Sequence, residues 1–196
     1  MSRIVVVNNV SLDGVMQAPA RPDEDRRGGF EHGGWALAYG DEVMARKMGE
    51  SMMGGGSLLL GRRTYEDFFA VWPNAPQPNP FTERLNKTRK YVVSNTLAEP
   101  LPWVNSTLLS GDGADAVARL KQELPDDESM CVLGSGALLH SLIGRDLIGE
   151  YLLLIHPIVL GAGLRLFPET AHSPLKLIDS TTTTTGVLIA TYQPDR

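Results

Sequence analysis

Residues 130–138 read Met-Cys-Val-Leu-Gly-Ser-Gly-Ala-Leu, an apolar run followed by a glycine-bounded turn and the start of an amphipathic stretch. The apolar run predicts a strand and residues 137–143 predict a helix, so Gly134-Ser135-Gly136 is a strand-to-helix turn. Glycines let a ligand approach the backbone closely, and the unpaired N–H groups of a helix start attract an anion. The stretch therefore predicts either a phosphate site or a plain connector, and its own residues do not decide between the two.

A second turn of this kind is Gly61-Arg62-Arg63-Thr64-Tyr65-Glu66, which follows the short apolar run at residues 57–60. Thr64 is expected to cap the helix and to offer its hydroxyl to a phosphate. Arg62 and Arg63 supply planar donors suited to phosphate, although an arginine pair is also typical of a solvated surface. Two such turns in one small domain favour a dinucleotide, with one turn for the pyrophosphate and the other for a ribose phosphate.

The usual nucleotide fingerprints are absent from the sequence. Gly134-Ser135-Gly136 is followed by Ala137-Leu138-Leu139, so the third glycine of G-x-G-x-x-G is missing. No G-x-x-x-x-G-K-[ST] loop occurs either, which gives no support to NTP hydrolysis of that type.

The whole chain alternates between strand-like and helical runs, which predicts an α/β layered domain. Strands are predicted at residues 4–9, 57–60, 91–94, 104–109, 130–133 and 151–156, and helices at 41–52, 64–69, 112–124 and 137–143. Residues 175–192, which include the threonine run, predict a closing antiparallel hairpin. Residues 17–34 predict a long loop that is either a lid or disordered. A helix break at residues 54–56 and a surface loop at residues 73–80 complete the prediction.

Three carboxylates are candidates for proton transfer or substrate anchoring. Asp13, with Gly14, follows the first strand, where polar groups often face the cleft of an open sheet, but the pair is equally typical of an ordinary turn. Asp41 and Glu42 stand at the start of a predicted helix. Helix capping is the alternative role for them.

Composition excludes several classes of function. A net charge of −5 argues against a general nucleic-acid binder, and no apolar run approaches the length of a membrane span. Residues 1–7 enter a strand pattern directly, so we expect no signal peptide. A single cysteine, Cys131, in an apolar run predicts an inert core thiol and a reducing cytoplasm, and the four histidines show no metal-ligand spacing, so no metal site is expected.

Taken in order, these motifs resemble the dihydrofolate-reductase-like family, and most closely its branch containing the reductase domain of the bacterial bifunctional riboflavin-biosynthesis deaminase–reductase. The resemblance spans nearly the whole chain. The matching pieces are Ser11-Leu-Asp-Gly14, Gly61-Arg-Arg-Thr-Tyr-Glu66, Lys90-Tyr-Val-Val-Ser94, Gly134-Ser-Gly-Ala-Leu-Leu-His-Ser-Leu142, and His156-Pro-Ile-Val-Leu-Gly161 with Gly163 and Leu166-Phe167. The deaminase half is absent, because no H-x-E or P-C-x-x-C signature exists in this sequence.

The resemblance implies a single domain over residues 1–196, with a mostly parallel, twisted central sheet, flanking helices and a C-terminal antiparallel hairpin. It implies NADPH as the hydride source. Gly61, Arg62, Arg63 and Thr64 would hold the adenosine-side phosphates, and Ser94 and Asn95 the adenosine ribose region. Gly134, Ser135, Gly136, Ala137 and Leu138 would wrap the pyrophosphate, and backbone at Asn9, with residues 11–14 nearby, would border the nicotinamide.

The activity implied by the resemblance is hydride transfer to a C=N or C=O carbon of a small pterin-, pyrimidine- or carbonyl-type substrate. Asp41 or Glu42 is the nearest counterpart of the carboxylate that anchors the pterin in dihydrofolate reductase, but extra residues intervene, and no basic set for a phosphorylated pyrimidine is visible. A paralogue with a changed substrate is therefore favoured. The alternative is a non-catalytic protein that binds a nucleotide or pterin-like ligand. The resemblance also implies a homodimer.

Overall fold

The computed structural model describes residues 2–53, 56–73, 75 and 79–195. Its strands are β1 (Arg3–Ser11), β2 (Ser57–Gly61), β3 (Lys90–Val93), β4 (Ser106–Leu109), β5 (Ser129–Leu133), β6 (Glu150–His156), β7 (Leu175–Thr182) and β8 (Leu188–Pro194). Its helices are α1 (Glu42–Met53), α2 (Arg62–Val71), α3 (Pro80–Lys87), α4 (Gly113–Glu123) and α5 (Gly136–Gly144), with short 3-10 turns at Arg27–Gly29 and Leu37–Tyr39. The predicted break at residues 54–56 and the loop at residues 73–80 lie partly outside the described residues.

The chain divides into two compact units. The first comprises residues 1–4 and 56–147, and the second comprises residues 5–55 and 148–196. The assignment of residues 1–196 to one domain stays a prediction.

In the first unit four strands pair in the order β4-β3-β2-β5, and every pairing is parallel. Their central residues are almost wholly buried, with Leu59, Leu60, Val92 and Val132 each at 0% exposure. Parallel strands are normally covered on both faces, which explains why these runs are continuously apolar rather than alternating. Strand β4 is shorter than the predicted run from residue 104, because Asn105 adopts a left-handed φ of 59°.

An aromatic cluster formed by Tyr65, Phe69 and Trp103 packs in the core of this unit. The hydroxyl of Tyr65 accepts the Trp103 backbone N–H at 3.0 Å. Lys90 is fully buried and donates to the carbonyls of Leu85 and Thr88 at 2.6 and 2.7 Å, with its Nζ 4.6 Å from the Trp103 ring centroid. Burial lowers the pKa of Lys90 to about 8. The lysine is thus satisfied inside the core.

Helix α3 was not predicted from the sequence. Its N-cap is Asn79, whose Oδ1 accepts the backbone N–H groups of Phe81 and Thr82, both at 3.1 Å. Pro80 occupies the first helical turn, where a missing N–H costs nothing. The Asn-Pro pair was the available signal, and the neighbouring prolines concealed it.

The second unit pairs its strands in the order β1-β6-β8-β7. Strands β1 and β6 are parallel, whereas β8 runs antiparallel to both β6 and β7. The predicted α/β class, mostly parallel pairing and C-terminal antiparallel hairpin are therefore confirmed. The threonine run departs from the prediction at its end. The Thr183 backbone N–H donates to the Val187 carbonyl, and the Thr183 hydroxyl accepts the Val187 N–H. Residues 183–187 therefore form the hairpin turn rather than strand.

Residues 17–34 are packed, contrary to the expectation of a disordered loop, and the alternative of a lid stays a prediction. Phe30 is 5% exposed and lies in an apolar cluster with Val15, Ala18 and Trp35. Gln17 organises the segment, since its side chain donates to two loop carbonyls and accepts a backbone N–H from residue 164. The charge-rich composition concealed these apolar anchors. In the part of the chain that the structure describes, no helix has the length and apolarity of a membrane span.

Candidate functional site

The residues predicted for cofactor phosphates gather at one edge of the first unit. Parallel strands place all their carboxyl ends at the same edge, and α2, α4 and α5 each follow β2, β4 and β5 after a short turn or none. Three helix N-termini therefore face that edge. This is where open α/β sheets commonly bind ligands.

Helix α2 begins two residues earlier than predicted. Its N-cap is the extended residue Gly61, no side chain caps it, and Thr64 lies inside the first turn. The prediction that Thr64 caps this helix is wrong, because the chain already enters helical geometry at Arg62. The Thr64 hydroxyl instead accepts the backbone N–H of Ser135 at 3.0 Å.

The β5–α5 turn is built from two successive left-handed residues. Gly134 has a φ of 56° and Ser135 a φ of 57°. A Cβ on Gly134 would lie 3.2 Å from the Thr64 Oγ1, so the α2 start packs directly against this glycine. Glycine tolerates both the conformation and the close approach.

Ser135 joins the two turns that the sequence presents separately. Its Oγ accepts the Gly61 backbone N–H at 3.0 Å and donates to the Leu133 carbonyl at 3.0 Å. With the bond from its own N–H to Thr64, Ser135 ties the starts of α2 and α5 into one structure. Its side chain is 9% exposed, so its hydroxyl is a structural group rather than a freely offered ligand contact.

The start of α5 retains unpaired donors. The backbone N–H groups of Gly136, Ala137 and Leu138 donate to none of the described residues, and no side chain caps this helix. Helix α4 differs, because the Asp112 carboxylate accepts the Asp115 N–H at 3.0 Å. The two uncapped starts, of α2 and α5, are those that Ser135 holds together. Free N–H groups at the positive end of a helix favour an anion.

The arginine pair lies at the same place. Arg62 approaches Glu66 at 3.7 Å, with the two side chains 40% and 47% exposed. An exposed ion pair at this distance contributes little to stability, so the Arg62 guanidinium can leave Glu66 and bind another anion. Arg63 is exposed and forms no ion pair with the described residues.

Ser94 and Asn95 use their side chains inside the unit. The Ser94 hydroxyl accepts the backbone N–H groups of Thr96 and Leu97, both at 3.1 Å. The Asn95 amide bonds both the N–H and the carbonyl of Gly111, at 2.7 and 3.0 Å. Together they shape the turn after β3 and fasten it to the loop before α4. Their contact with a ribose stays a prediction.

Asp13, in the second unit, anchors two loops. Its carboxylate accepts the Ser11 hydroxyl at 2.6 Å and the backbone N–H groups of Leu160 and Gly161 at 3.1 and 2.9 Å. These bonds, that from Ser11 foremost, lower the pKa of Asp13 to about 2 against a smaller effect of burial. Arg165 also donates to the Asp13 backbone carbonyl. An anion so well satisfied is suited to holding structure and poorly suited to donating a proton.

Asp41 is a helix cap that also binds the hairpin turn. Its Oδ1 accepts the Met44 N–H at 2.8 Å, and its Oδ2 accepts the N–H and hydroxyl of Thr184 at 2.7 and 2.6 Å. The Thr184 hydroxyl, followed by the Met44 N–H, lowers the pKa of Asp41. The side chain of Glu42 is exposed and bonds none of the described residues. The proposed catalytic roles of all three carboxylates stay predictions.

Sequence reasoning missed one buried polar group in the second unit. His156 is 0% exposed, and its Nε2 lies 2.9 Å from Oδ1 of Asn9. The rings of Trp35 and Tyr39 form T-shaped contacts with the imidazole, with ring centroids 5.2 and 5.3 Å from its centroid. Burial lowers the pKa of His156 to about 4, so the imidazole is neutral at pH 7. A histidine ending an apolar strand was the signal available.

Metal and thiol chemistry find no support among the described residues. No group of three histidine, cysteine or carboxylate side chains is placed to hold an ion. Cys131 packs against the aromatic cluster of the first unit, and burial raises the pKa of its thiol to about 12.

Comparisons with known proteins agree with this architecture. A family model described as the RibD C-terminal domain matches residues 3–189. The chain is similar to the uncharacterized protein YyaP of Bacillus subtilis (strain 168), with 27% identity over 143 residues, covering 69% of this chain and 72% of YyaP.

Two solved structures share the fold. A protein of Shewanella sp. PV-4, whose name links it to riboflavin biosynthesis, superposes with a TM-score of 0.73 at 22% identity and covers 99% of both chains. Dihydrofolate reductase of Enterococcus faecalis, complexed with NADP(H), gives a TM-score of 0.60 at 12% identity and covers 99% of this chain and 97% of its own. The dihydrofolate-reductase-like fold predicted from the motifs is confirmed.

Proposed function

Because this chain belongs to the RibD C-terminal domain family, we propose that it is an NADPH-dependent reductase, which transfers a hydride to a C=N or C=O carbon of a small pterin-, pyrimidine- or carbonyl-type substrate. The observation that carries the proposal is the joined pair of uncapped helix starts at Gly61 and Ser135, with Arg62 and Arg63 beside them.

These residues fit a phosphorylated dinucleotide. The unpaired N–H groups of Gly136, Ala137 and Leu138 would donate to the pyrophosphate, and the left-handed Gly134 leaves room for it. Arg62 and Arg63 would neutralise the 2′-phosphate of the adenosine ribose, which NADPH carries and NADH lacks. Bound NADPH would supply the hydride.

The protein's own contribution is to bind the two reactants and to orient them. Asp13 fixes the loops at the carboxyl ends of β1 and β6, and Asp41 fixes the start of α1 to the hairpin turn. Since both stay ionised near neutral pH, neither holds a proton there to donate. We therefore propose that solvent supplies the proton to the reduced substrate.

A non-catalytic nucleotide- or pterin-binding protein is the second candidate. The engagement of Asp13 and Asp41 in structural hydrogen bonds favours it, because it leaves few proton donors. Binding of NADPH without consumption of it, in the presence of dihydropterin, pyrimidine and carbonyl compounds, would support this candidate.

The decisive experiment is a titration of the protein with NADPH and NADH, monitored by nicotinamide fluorescence. Losing an Arg–phosphate contact costs about 1.5–3 kcal/mol, so Arg62→Ala and Arg63→Ala should weaken NADPH binding while leaving NADH nearly unchanged. Arg145→Ala is the matched control, because Arg145 is an exposed arginine of the same unit that pairs with Asp115 at 3.0 Å. If the unmodified protein binds neither nucleotide, the proposal fails.

Cytoplasmic location, expected from the single cysteine, and homodimerisation, implied by the family resemblance, stay predictions. Strand β6 is largely core, since Tyr151, Leu153 and Leu154 are at most 5% exposed, while Leu152 and Ile155 are half-buried. Sedimentation velocity measures the oligomeric state directly.

A further inference from the structure

The pair formed by Asn9 and His156 is not explained by folding alone. His156 is enclosed completely, whereas Asn9 is partly exposed. The Nδ1 of His156 is buried and has no hydrogen-bond partner among the described residues. An unsatisfied buried polar atom is costly, so a group retained at that cost calls for a role.

The tautomer of the imidazole follows from the hydrogen-bond inventory. A neutral imidazole carries one N–H, and an orphaned buried donor is rarer than an orphaned acceptor. Placing the proton on Nε2 makes His156 the donor to Asn9 Oδ1 at 2.9 Å and leaves Nδ1 as a bare acceptor. His156 thus occupies the oxygen end of the Asn9 carboxamide.

The other end of that carboxamide is available. With Oδ1 held by His156, the Nδ2 of Asn9 presents two N–H donors that bond none of the described residues. The rings of Trp35 and Tyr39 pack in T-shaped contact with the imidazole and fix it, so the direction of the amide is fixed as well. A neutral donor of fixed direction recognises an acceptor oxygen and discriminates against a group that is itself a donor.

The position of the pair points to a ligand. Asn9 lies two residues before the carboxyl end of β1, and His156 is the last residue of the parallel strand β6. Ligands of open α/β sheets bind at such strand ends. We propose that the Asn9 side-chain amide donates to a carbonyl or amide oxygen of the reacting heterocycle, and that His156 is the positioning residue that aims it. This inference rests on the proposed reductase function.

Two heterocycles carry an oxygen of this kind, the nicotinamide with its carboxamide and a carbonyl-bearing substrate ring. Binding of NADPH is therefore compared with binding of 2′-phospho-ADP-ribose, which lacks the nicotinamide. Binding of uracil in the presence of NADPH, measured by saturation-transfer NMR, represents the substrate ring.

Asn9→Leu should weaken the binding of either NADPH or uracil by about three- to tenfold, which is the loss expected for one neutral hydrogen bond. Binding of 2′-phospho-ADP-ribose should stay unchanged. Loss confined to NADPH assigns the nicotinamide, and loss confined to uracil assigns the substrate. If the affinities for NADPH and uracil both stay unchanged, or if the affinity for 2′-phospho-ADP-ribose falls equally, the proposal is overturned.

His156→Leu and His156→Gln separate positioning from support of the fold. Both replace the buried ring and should lower the melting temperature, but the glutamine amide can still donate to Asn9 Oδ1. Affinity should therefore fall in His156→Leu as in Asn9→Leu and recover in His156→Gln. His172→Gln, at an exposed histidine of the same unit, is the control.

Equal affinity of His156→Leu and the unmodified protein would remove the positioning role. Failure of the unmodified protein to bind NADPH would overturn the reductase proposal and this inference together. Binding of NADPH that is insensitive to Asn9→Leu, with uracil also unaffected, overturns this inference alone.

Discussion

The hydroxyl of Ser135 accepts the backbone N–H of Gly61 at 3.0 Å, across a sequence separation of 74 residues. Through this bond two strand-to-helix turns become one structure, because the Ser135 N–H also bonds Thr64 in the first turn of α2. Among the described residues, no side chain caps either helix start, and the N–H groups that open α5 have no acceptor. Ser135 therefore organises the candidate phosphate site, and its side chain need not touch the phosphate.

Replacing Ser135 by alanine should destabilise the protein and weaken the site together. The change leaves the Gly61 N–H without its acceptor, for which we expect a loss of about 1–3 kcal/mol in the free energy of unfolding. Urea denaturation measures the loss, and NADPH titration of the folded variant measures the effect on the site. Ser141→Ala is the control, since Ser141 is exposed on the same helix and bonds only carbonyls of its own helix. Equal stability of the two variants would contradict the role given to Ser135.

A methyl group at Gly134 should be poorly tolerated. An L-residue with a φ of 56° costs about 1–2 kcal/mol, and its Cβ would press on the Thr64 Oγ1 at 3.2 Å. Gly134→Ala should therefore lower the free energy of unfolding and loosen the contact between α2 and the β5–α5 turn.

Gly144→Ala is the matched test for Gly134→Ala. Gly144 ends the same helix, and a Cβ there meets no atom within 4 Å. We expect unchanged or slightly higher stability in chemical denaturation, because alanine is the better helix former. A Gly134→Ala variant as stable as Gly144→Ala would mean that the close approach to Thr64 is not structurally important.

Local patterns predicted much of this fold from the sequence, and long-range hydrogen bonds explain what was missed. Continuous apolar runs between glycine turns identified β2 and β5, and a 3.6-residue period identified α4. No local pattern could show that Ser135 reaches Gly61, nor that the imidazole of His156 meets Asn9 from 147 residues away. The cap of α2 was misplaced because a threonine is a stronger local signal than the glycine that holds the position.

The candidate carboxylates illustrate the same limit. Asp13 and Asp41 are each compatible with proton transfer and with turn or cap formation, since residue type alone does not reveal the donors around a carboxylate. The structure supplies those donors, from Leu160 and Gly161 for Asp13 and from Thr184 for Asp41. What distinguishes the roles is therefore tertiary, and the sequence leaves it open.

Asp41→Ala should lower the melting temperature, because it removes the acceptor for the Met44 N–H and for both donors of Thr184. The folded-state pKa of Asp41 is depressed, so its contribution is present above the unfolded-state pKa and declines as the pH falls below it. Glu42→Ala removes the same charge from the next position without those bonds. Thermal unfolding of the two variants at pH 7 should show a clear drop for Asp41→Ala alone; a matching drop in Glu42→Ala would point to charge rather than hydrogen bonding.

The buried His156 should make stability depend on pH between about 6.5 and 4. Its folded-state pKa is about 4, against an ordinary value of 6.5, because burial disfavours the charged ring. The unfolded chain therefore binds more protons in this range, and stability is full above pH 6.5 and falls as the pH drops towards 4. The depression, from 6.5 to about 4, corresponds to at most about 3.5 kcal/mol. Urea unfolding at half-unit pH steps from 7.5 to 4.5 measures the free energy of unfolding across this range. In His156→Gln the slope of that free energy against pH should flatten. The carboxylates with lowered pKa values lose their stabilising charge only at lower pH, so an unchanged slope in His156→Gln would show that the imidazole is not the titrating group.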